Sequence, residues 1–214
     1  MENEESKTDT QIRIRKAGYD DIDTMKRVLA RAYDKDPVVN WFVLQDGKRT
    51  QRIEKFFEVN FKDYAMKYDH VITTEELNGA AAWYPPEPRD CWKSSTLKDL
   101  SLIHKMISIM SIRQMPSRMS AYELLKKHHL KNMQEPHYYL FGLGVDPSQQ
   151  GKGIGSHLVQ FGLGMCNEKG VPAYLETETE DNVRFYEKHD FKVIEELSPG
   201  RNAPKVWCMI YEPK

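Results

Sequence analysis

Apolar residues recur along the first part of the chain with two different periods, which predict strands and helices. The segment QIRIRKA alternates polar and apolar residues, which predicts a strand over 12–17. Apolar residues three or four positions apart predict a helix that begins near Asp20 and another over roughly 48–67. Between them, DPVVNWFVL predicts a short helix with Asp36 as its N-cap and Pro37 at its first position.

The middle of the chain predicts a hairpin and then a long helical region. HVITTEELNGAAAWYP consists of two apolar segments joined by Asn78 and Gly79, a dipeptide that favours a tight hairpin turn. Three prolines within 85–93 predict a loop. The pattern over 95–133 is helical, with a break at Pro116.

The last third of the chain alternates strands with helices. YYLFGLGV is a continuous apolar segment, typical of a buried strand, and the helix that follows ends at Gly170. The remaining segments predict strand, helix, strand and strand in that order: VPAYLET, EDNVRFYEKH, FKVIEEL and KVWCMIY. This order predicts an α/β fold, a mixed sheet with helices on both faces, in one domain over 11–214 after a disordered N-terminus over 1–10.

Composition narrows the class of protein. The 214 residues include 31 basic and 32 acidic side chains, a near balance that gives no electrostatic footprint for nucleic acid or an anionic membrane. The acidic start and the lack of a long apolar segment predict a cytoplasmic chain with no membrane partner. The three cysteines lie far apart, so we expect no disulfide and no metal, and we expect Cys166 and Cys208 to be small buried hydrophobes.

A cluster of glycines marks the candidate ligand site. Gly142 and Gly144 interrupt an apolar strand, which is typical of a bulge or of a place that another chain or a ligand approaches closely. Downstream, the segment 150–156 begins a helix whose first N–H groups lack partners and favour an anion, and Lys152 adds a positive charge. The pattern suits one long ligand with a diphosphate at one end and amides along its arm, although glycines that only form a tight turn are the alternative.

The same residues resemble a known family. QGKGIG resembles the Q/R-x-x-G-x-G/A signature of the GNAT superfamily of acetyl-CoA-dependent N-acyltransferases, and the segments over 138–212 resemble puromycin N-acetyltransferase and its relatives. The resemblance implies the GNAT fold, a central and mostly antiparallel sheet with splayed strands four and five. It also implies that 138–212 is the CoA-binding and catalytic half, while 94–135 shows no clear correspondence.

The resemblance further implies acetyl-CoA as cosubstrate, with no metal. Its pantetheine arm would lie between the splayed strands and its diphosphate on the turn before the helix. The residues implied to bind it belong to the strand, the turn, the helix start and one later helix: Leu143, Gly144, Val145, Gln150, Gly151, Lys152, Gly153, Ile154, Gly155, Ser156 and Asn182.

Acetyl transfer to an amine requires an oxyanion donor, an acid and a base. Backbone N–H groups of Val145 or Leu143 are candidate oxyanion donors, each worth roughly 3–4 kcal/mol where water is excluded. By the resemblance, Tyr186 faces the thioester sulfur and is the candidate general acid, and a packed helix aromatic is the alternative. Glu176, near the carboxyl end of a strand, is the candidate base or ammonium holder, against a solvated member of the run ETETED.

The acceptor pocket is expected from the front half of the chain. Asp36 and Trp41 on the short helix, with Trp83 and Tyr84 at the end of a strand, offer negative charge and aromatic walls to a cationic amine. Ordinary core aromatics and surface acids are the alternative. The neighbouring His128 and His129 point about 100° apart on a helix, which disfavours a shared metal.

Three functions remain in view. The first is transfer of an acetyl group from acetyl-CoA to a small-molecule amine, by a monomer or homodimer. The second is a protein lysine or N-terminal acetyltransferase, and the third is a non-catalytic acyl-CoA sensor. The long helical region suggests a lid over a pocket and so favours a small acceptor.

Overall fold

Seven strands and seven α-helices form over residues 12–86, 100–200 and 202–214, the parts of the chain that the computed structural model describes. The strands are β1 (Ile14–Lys16), β2 (Val71–Thr74), β3 (Gly79–Tyr84), β4 (Tyr138–Val145), β5 (Ala173–Thr177), β6 (Lys192–Leu197) and β7 (Val206–Tyr211). The helices are α1 (Ile22–Ala32), α2 (Pro37–Phe42), α3 (Arg49–Val59), α4 (Leu100–Ile109), α5 (Met115–Asn132), α6 (Ile154–Lys169) and α7 (Glu180–Glu187).

All seven strands join one sheet, in the order β1-β2-β3-β4-β5-β7-β6. Every neighbouring pair is antiparallel except β4 and β5, which are parallel. The mixed, mostly antiparallel sheet that the sequence predicted is therefore confirmed. Because strands from both ends of the described chain meet in it, the sheet links the glycine-rich segment to the front half.

Helices cover both faces of the sheet, as expected. Buried side chains of α1 and α3 pack on one face, and those of α6 pack on the other. Helix α6 lies very close to the sheet at Gly162, where an added Cβ would be 2.1 Å from the ring of Trp83. A side chain at this position of α6 would collide with the indole, so the glycine sets how near α6 lies to β3.

The predicted helix boundaries are largely confirmed. Asp36 caps α2, because its carboxylate accepts a hydrogen bond of 2.7 Å from the Val39 N–H. The helix expected over 48–67 is α3, which continues as a π-helical turn and then a 3₁₀ turn to residue 68. The expected break at Pro116 falls slightly earlier, since this proline lies in the first turn of α5, where it costs no hydrogen bond.

Two sequence predictions fall partly outside the described residues, and the predicted turn between β2 and β3 was wrong. Of the loop over 85–93 and the helical region over 95–133, the parts within 87–99 are not described. The hairpin between β2 and β3 has no two-residue Asn-Gly turn: Leu77 takes the positive φ of 55°. The turn is longer because the Thr74 hydroxyl bonds to both the side chain and the N–H of Asn78.

The parallel pair of strands separates after a short contact. Pairing between β4 and β5 covers only 138–140 and 173–175. Just beyond it, β4 carries an extra residue against β3, because Ala82 pairs with Gly142 whereas Trp83 pairs with Leu140. A bulge of this kind bends the strand, so β4 diverges from β5 at the point where both strands carry candidate site residues.

Candidate active site

The gap between β4 and β5 holds an unexpected side chain. The Tyr33 hydroxyl donates a hydrogen bond of 2.9 Å to the Leu143 C=O and accepts one of 3.0 Å from the Leu143 N–H. The sequence predicted that these two main-chain groups would be open to a ligand. In this structure they are satisfied by Tyr33, so a ligand that pairs with Leu143 has to displace the phenol.

The glycines of β4 have a packing reason that the sequence analysis did not identify. A Cβ at Gly144 would lie 2.5 Å from a methyl carbon of Leu29 and 3.0 Å from the Cβ of Ala32. A Cβ at Gly142 would lie 3.5 Å from the Tyr33 hydroxyl. The two glycines therefore let α1 lie close against the sheet and place Tyr33 along β4.

The turn before α6 has the backbone that its glycines predict. Gly151 and Gly153 have φ of 78° and 85°, a region that side chains disfavour, and Gly151 faces open space. The first turn of α6 contains no acidic residue, and its N–H groups point out of the helix end. Lys152 lies beside this turn, with its ammonium 2.8 Å from the Gln149 side-chain oxygen. The segment is thus a positive, sterically open loop.

Other residues predicted for the cofactor surround the same loop. The Gln150 amide donates to the C=O of Val145 at 3.2 Å, which ties the loop to the end of β4. Ser156 lies 3.1 Å from the His189 ring nitrogen, and Ile154 is buried in the core. Asn182 is exposed in the first turn of α7, where its N–H is capped by the Thr179 hydroxyl at 3.2 Å.

A cavity of about 310 Å³ lies beside the gap. Three residues predicted for the acceptor pocket, Asp36, Trp41 and Tyr84, line it, as does Glu176. Nine aromatic residues contribute to its wall: Tyr33, Trp41, Phe42, Phe56, Phe57, Tyr84, Tyr122, Tyr139 and Phe141.

Trp83 does not line this cavity. It is fully buried on the opposite face of the sheet, against α6. Neighbouring residues of a strand point to opposite faces, so Trp83 and Tyr84 could not both have faced the acceptor. The predicted pocket role of Trp83 is therefore replaced by a role in seating α6 on β3.

Glu176 is buried rather than solvated. Its side chain is 11% exposed, lines the cavity and faces the hydroxyls of Tyr139 and Tyr174. Burial raises the pKa of Glu176 to about 7, and the two tyrosine hydroxyls oppose a larger rise. A carboxyl group with this pKa takes and releases protons near neutral pH, which is what a general base requires.

Two further carboxyls join Glu176 in the cavity wall. Asp36 and Glu178 are hydrogen-bonded to each other, and burial raises the pKa of both. For Glu178 the nearby charges of Asp36 and Glu176 raise the pKa further. The sequence analysis missed Glu178, although alternation along ETETE puts residues 176 and 178 on the same side of the chain.

Tyr186, on α7, is not among the residues that line the cavity, although the charge of Glu178 reaches it. It is 8% exposed and packs in the cluster beneath α6. Burial and the nearby charge of Glu178 raise the pKa of Tyr186 above the ordinary tyrosine value. A charge on Tyr186 would in turn raise the pKa of Tyr33. The phenol therefore stays protonated at neutral pH and is available as a donor.

A pair of histidines lies behind Glu176. His129, on α5, is fully buried, and its Nδ1 lies 3.8 Å from Glu176 Oε1. Its Nε2 lies 2.6 Å from Nε2 of His137, whose Nδ1 lies 2.8 Å from the Glu135 C=O. Burial lowers the pKa of His129 to about 2, so its ring is neutral.

The described residues lack a metal site and a membrane-spanning helix, and their two cysteines are buried. No group of three or more histidine, cysteine or acidic side chains in these residues is arranged to hold a metal ion. No helix in the described ranges is long and apolar enough to span a membrane. Cys166 and Cys208 are buried free thiols, as predicted, and burial raises the pKa of each to about 12.

Comparison with solved structures identifies the fold. A histone acetyltransferase and related acetyltransferase from Corynebacterium glutamicum is similar over 95% of this chain and 97% of its own, with a TM-score of 0.68 and 17% identity. The polyamine N-acetyltransferase of Drosophila melanogaster, which forms N-acetylagmatine, is similar over 94% and 99%, with a TM-score of 0.65 and 12% identity. At these identities the likeness concerns the fold, which is the GNAT fold that the sequence predicted.

Sequence comparison agrees with the fold. Residues 105–191 match the sequence model of the Acetyltransferase (GNAT) family. An uncharacterized N-acetyltransferase of Schizosaccharomyces pombe is 32% identical over 87 residues, which are 40% of this chain and 35% of that relative. The chain thus matches about a third of the relative's length. The family match over 105–191 and the fold together support the predicted GNAT acetyltransferase family.

Proposed function

We propose that the protein transfers an acetyl group from acetyl-CoA to the amine of a small molecule held in the cavity. The observation that carries this proposal is Glu176, a buried carboxyl with a pKa of about 7 that lines an aromatic cavity beside the open end of β4. An ammonium group that enters such a cavity finds negative charge, aromatic faces and a base in one place.

The residues around the glycine turn fit acetyl-CoA. The open backbone at Gly151 and Gly153, the acid-free start of α6 and the Lys152 charge suit a diphosphate. The separated edge of β4 suits an amide-bearing arm, once the Tyr33 hydroxyl has left Leu143. When bound, acetyl-CoA supplies the acetyl thioester, and the chain's own groups do the rest.

Glu176 is the group that takes the proton of the acceptor ammonium. The contacts beyond it lead towards the surface through His129 and the partly exposed His137. His129 is neutral, so its Nδ1 can accept the proton from Glu176. At the same time its Nε2 gives a proton to Nε2 of His137. This chain of side chains returns Glu176 to its ionised form for the next turnover.

Tyr186 is the proposed acid. Its buried phenol donates its proton towards the sulfur that leaves the acetyl group. Burial raises the pKa of thiols in this protein to about 12, as at Cys166 and Cys208, so a thiolate formed in a similarly dry place is a strong base. The Val145 N–H is the proposed oxyanion donor, because the Leu143 N–H and C=O pair with the amide-bearing arm once the Tyr33 hydroxyl has left them.

The cavity favours a small acceptor over a protein. A volume of about 310 Å³ walled by aromatic rings holds a compact amine, whereas an open groove would suit a polypeptide. The Drosophila neighbour, a polyamine N-acetyltransferase, supports the same choice. The finer resemblance to puromycin N-acetyltransferases makes aminonucleosides a second class of acceptor to assay.

Two measurements test the proposal. Titration calorimetry should show acetyl-CoA binding to the full chain, and free thiol should accumulate when polyamines, arylalkylamines or aminonucleosides are added. Histone peptides are the comparison for the protein-acetyltransferase alternative. Lack of heat with acetyl-CoA would reject the function altogether, and binding without thiol release from any amine would favour an acyl-CoA sensor.

A further inference from the structure

Arg118 is a buried cation that no described carboxylate neutralises. It lies on α5, is 9% exposed and lines the acceptor cavity. None of the ion pairs among the described residues includes it. Because a buried charge without a counter-charge costs free energy, buried guanidinium groups are normally paired with an anion.

The guanidinium is held in place with donors to spare. Nη2 donates to the Trp41 C=O at 2.5 Å, Nη1 donates to the Ser117 hydroxyl at 3.1 Å, and Cζ lies 3.7 Å from the centre of the Trp41 ring. Nε is buried and has no hydrogen-bond partner. An arginine carries five N–H donors, so the group is fixed in orientation and still able to bind an acceptor oxygen.

The cavity carries charges of opposite sign on different elements. Arg118 and Lys126 line it from α5, and Asp36, Glu176 and Glu178 line it near the gap. Asp36 caps the start of α2, and Trp41, on which Arg118 stacks, lies near its end. At a rise of 1.5 Å per residue, residues 36 and 41 are roughly 7–8 Å apart along the axis of α2.

We propose that the acceptor is a zwitterionic amine, whose carboxylate binds Arg118 while its amine faces Glu176. This inference rests on the proposed function and adds the chemical class of the acceptor. A carboxylate matches the planar fork of arginine and supplies the missing counter-charge.

The test compares acceptors that differ only in the carboxylate. Values of kcat/KM are measured for 4-aminobutyrate, 6-aminohexanoate and 8-aminooctanoate, and for butylamine, hexylamine and octylamine. We expect the best amino acid to exceed its plain amine at least tenfold in the wild-type protein. Arg118→Gln should abolish this preference, with a much larger fall in kcat/KM for the amino acid than for the plain amine. Arg113→Gln removes an exposed charge from the same region and should leave the preference intact.

A structural role of Arg118 predicts a different result. If the arginine only ties α5 to Trp41, Arg118→Gln lowers kcat/KM for both members of each pair equally. That result, or a wild-type protein without a carboxylate preference, would overturn the inference while leaving the acetyltransferase function standing.

A binding measurement covers the case in which none of these amines is acetylated. Calorimetry compares 6-acetamidohexanoate with N-hexylacetamide on the CoA-saturated protein. Tighter binding of the carboxylate to the wild type, lost in Arg118→Gln, supports the carboxylate site. Equal binding of the two compounds rejects it, and a failure to saturate with CoA counts instead against the proposed function.

Discussion

The glycine turn before α6, where we propose the cofactor binds, and the cavity, where we propose the acceptor binds, are built in opposite ways. The turn is made of backbone: two glycines with positive φ and the start of α6, all within the short segment 150–156. The cavity is made of side chains that come from α2, α3, α5 and the end of β5. A backbone site is encoded by consecutive residues, whereas a side-chain site exists only after distant segments have packed. The first therefore shows in the sequence as one continuous motif, whereas the second shows only as separate candidate residues such as Asp36 and Trp41.

The largest expected effect is on the cavity side. Glu176→Gln removes the proposed base, so we expect kcat/KM to fall by about 10²–10⁴ with little change in acetyl-CoA affinity. In the wild type the rate should rise with pH up to a plateau above about 7, where Glu176 is ionised. Glu168→Gln, on the exposed side of α6, is the matched control. An unchanged pH profile in Glu176→Gln would remove Glu176 from the mechanism.

The same substitution should change how stability depends on pH. The folded state raises the pKa of Glu176 from 4.5 to about 7, so this group favours folding at low pH. Its contribution is complete below about 4.5 and is lost as the pH rises through about 7, a change of about 3 kcal/mol. Asp36 and Glu178 act in the same direction. Urea unfolding should therefore show a smaller loss of stability between pH 4.5 and 8 in Glu176→Gln than in the wild type.

A third prediction addresses the support of the cofactor side. Gly162→Ala places a Cβ 2.1 Å from the Trp83 ring, so we expect the free energy of unfolding to fall by about 1–3 kcal/mol or more. Gly164→Ala, on the same helix with open space around it, should stabilise by up to about 1 kcal/mol. Equal effects of the two substitutions in denaturant unfolding would contradict the close approach of α6 and β3.

The turn itself should respond to a single methyl group. Gly153→Ala forces a side chain into a left-handed conformation at a cost of about 1–2 kcal/mol. We expect acetyl-CoA to bind about tenfold more weakly and the KM of the acceptor to stay within twofold. Gly47→Ala, at a glycine with an ordinary φ and open space, is the control. A change confined to the acceptor KM would show that the two regions are not separable.

The smallest effect belongs to the residue that links both regions. Tyr33→Phe leaves the N–H and C=O of Leu143 without their hydroxyl partner, so stability should fall by about 0.5–1.5 kcal/mol. Acetyl-CoA should bind about two- to tenfold more tightly, because it no longer has to displace the phenol. Tyr19→Phe, at an exposed tyrosine, is the control. Weaker binding in Tyr33→Phe would show that the hydroxyl contributes to the bound state instead.

The contrast explains how far the sequence could predict this molecule. Strand and helix periods gave the order of elements, and the glycine segment led to the fold family and the α6 turn. Asp36, Trp41 and Tyr84 line the cavity, whereas Trp83 lies on the other side of the sheet, because a one-residue step along β3 changes the face. Tyr33 and Arg118 were missed, since their partners Leu143 and Trp41 lie 110 and 77 residues away along the chain.

The short contact between β4 and β5 has a consequence for the sheet as a whole. Beyond 138–140 and 173–175 the two strands run on without each other, which creates a pair of edges inside the protein rather than at its rim. Edges normally recruit extended chains, and here only a molecule narrow enough to enter between covering helices has access. An extended peptide backbone shares the amide spacing that such edges select. Peptidomimetic strands are therefore a rational starting point for ligands of this gap.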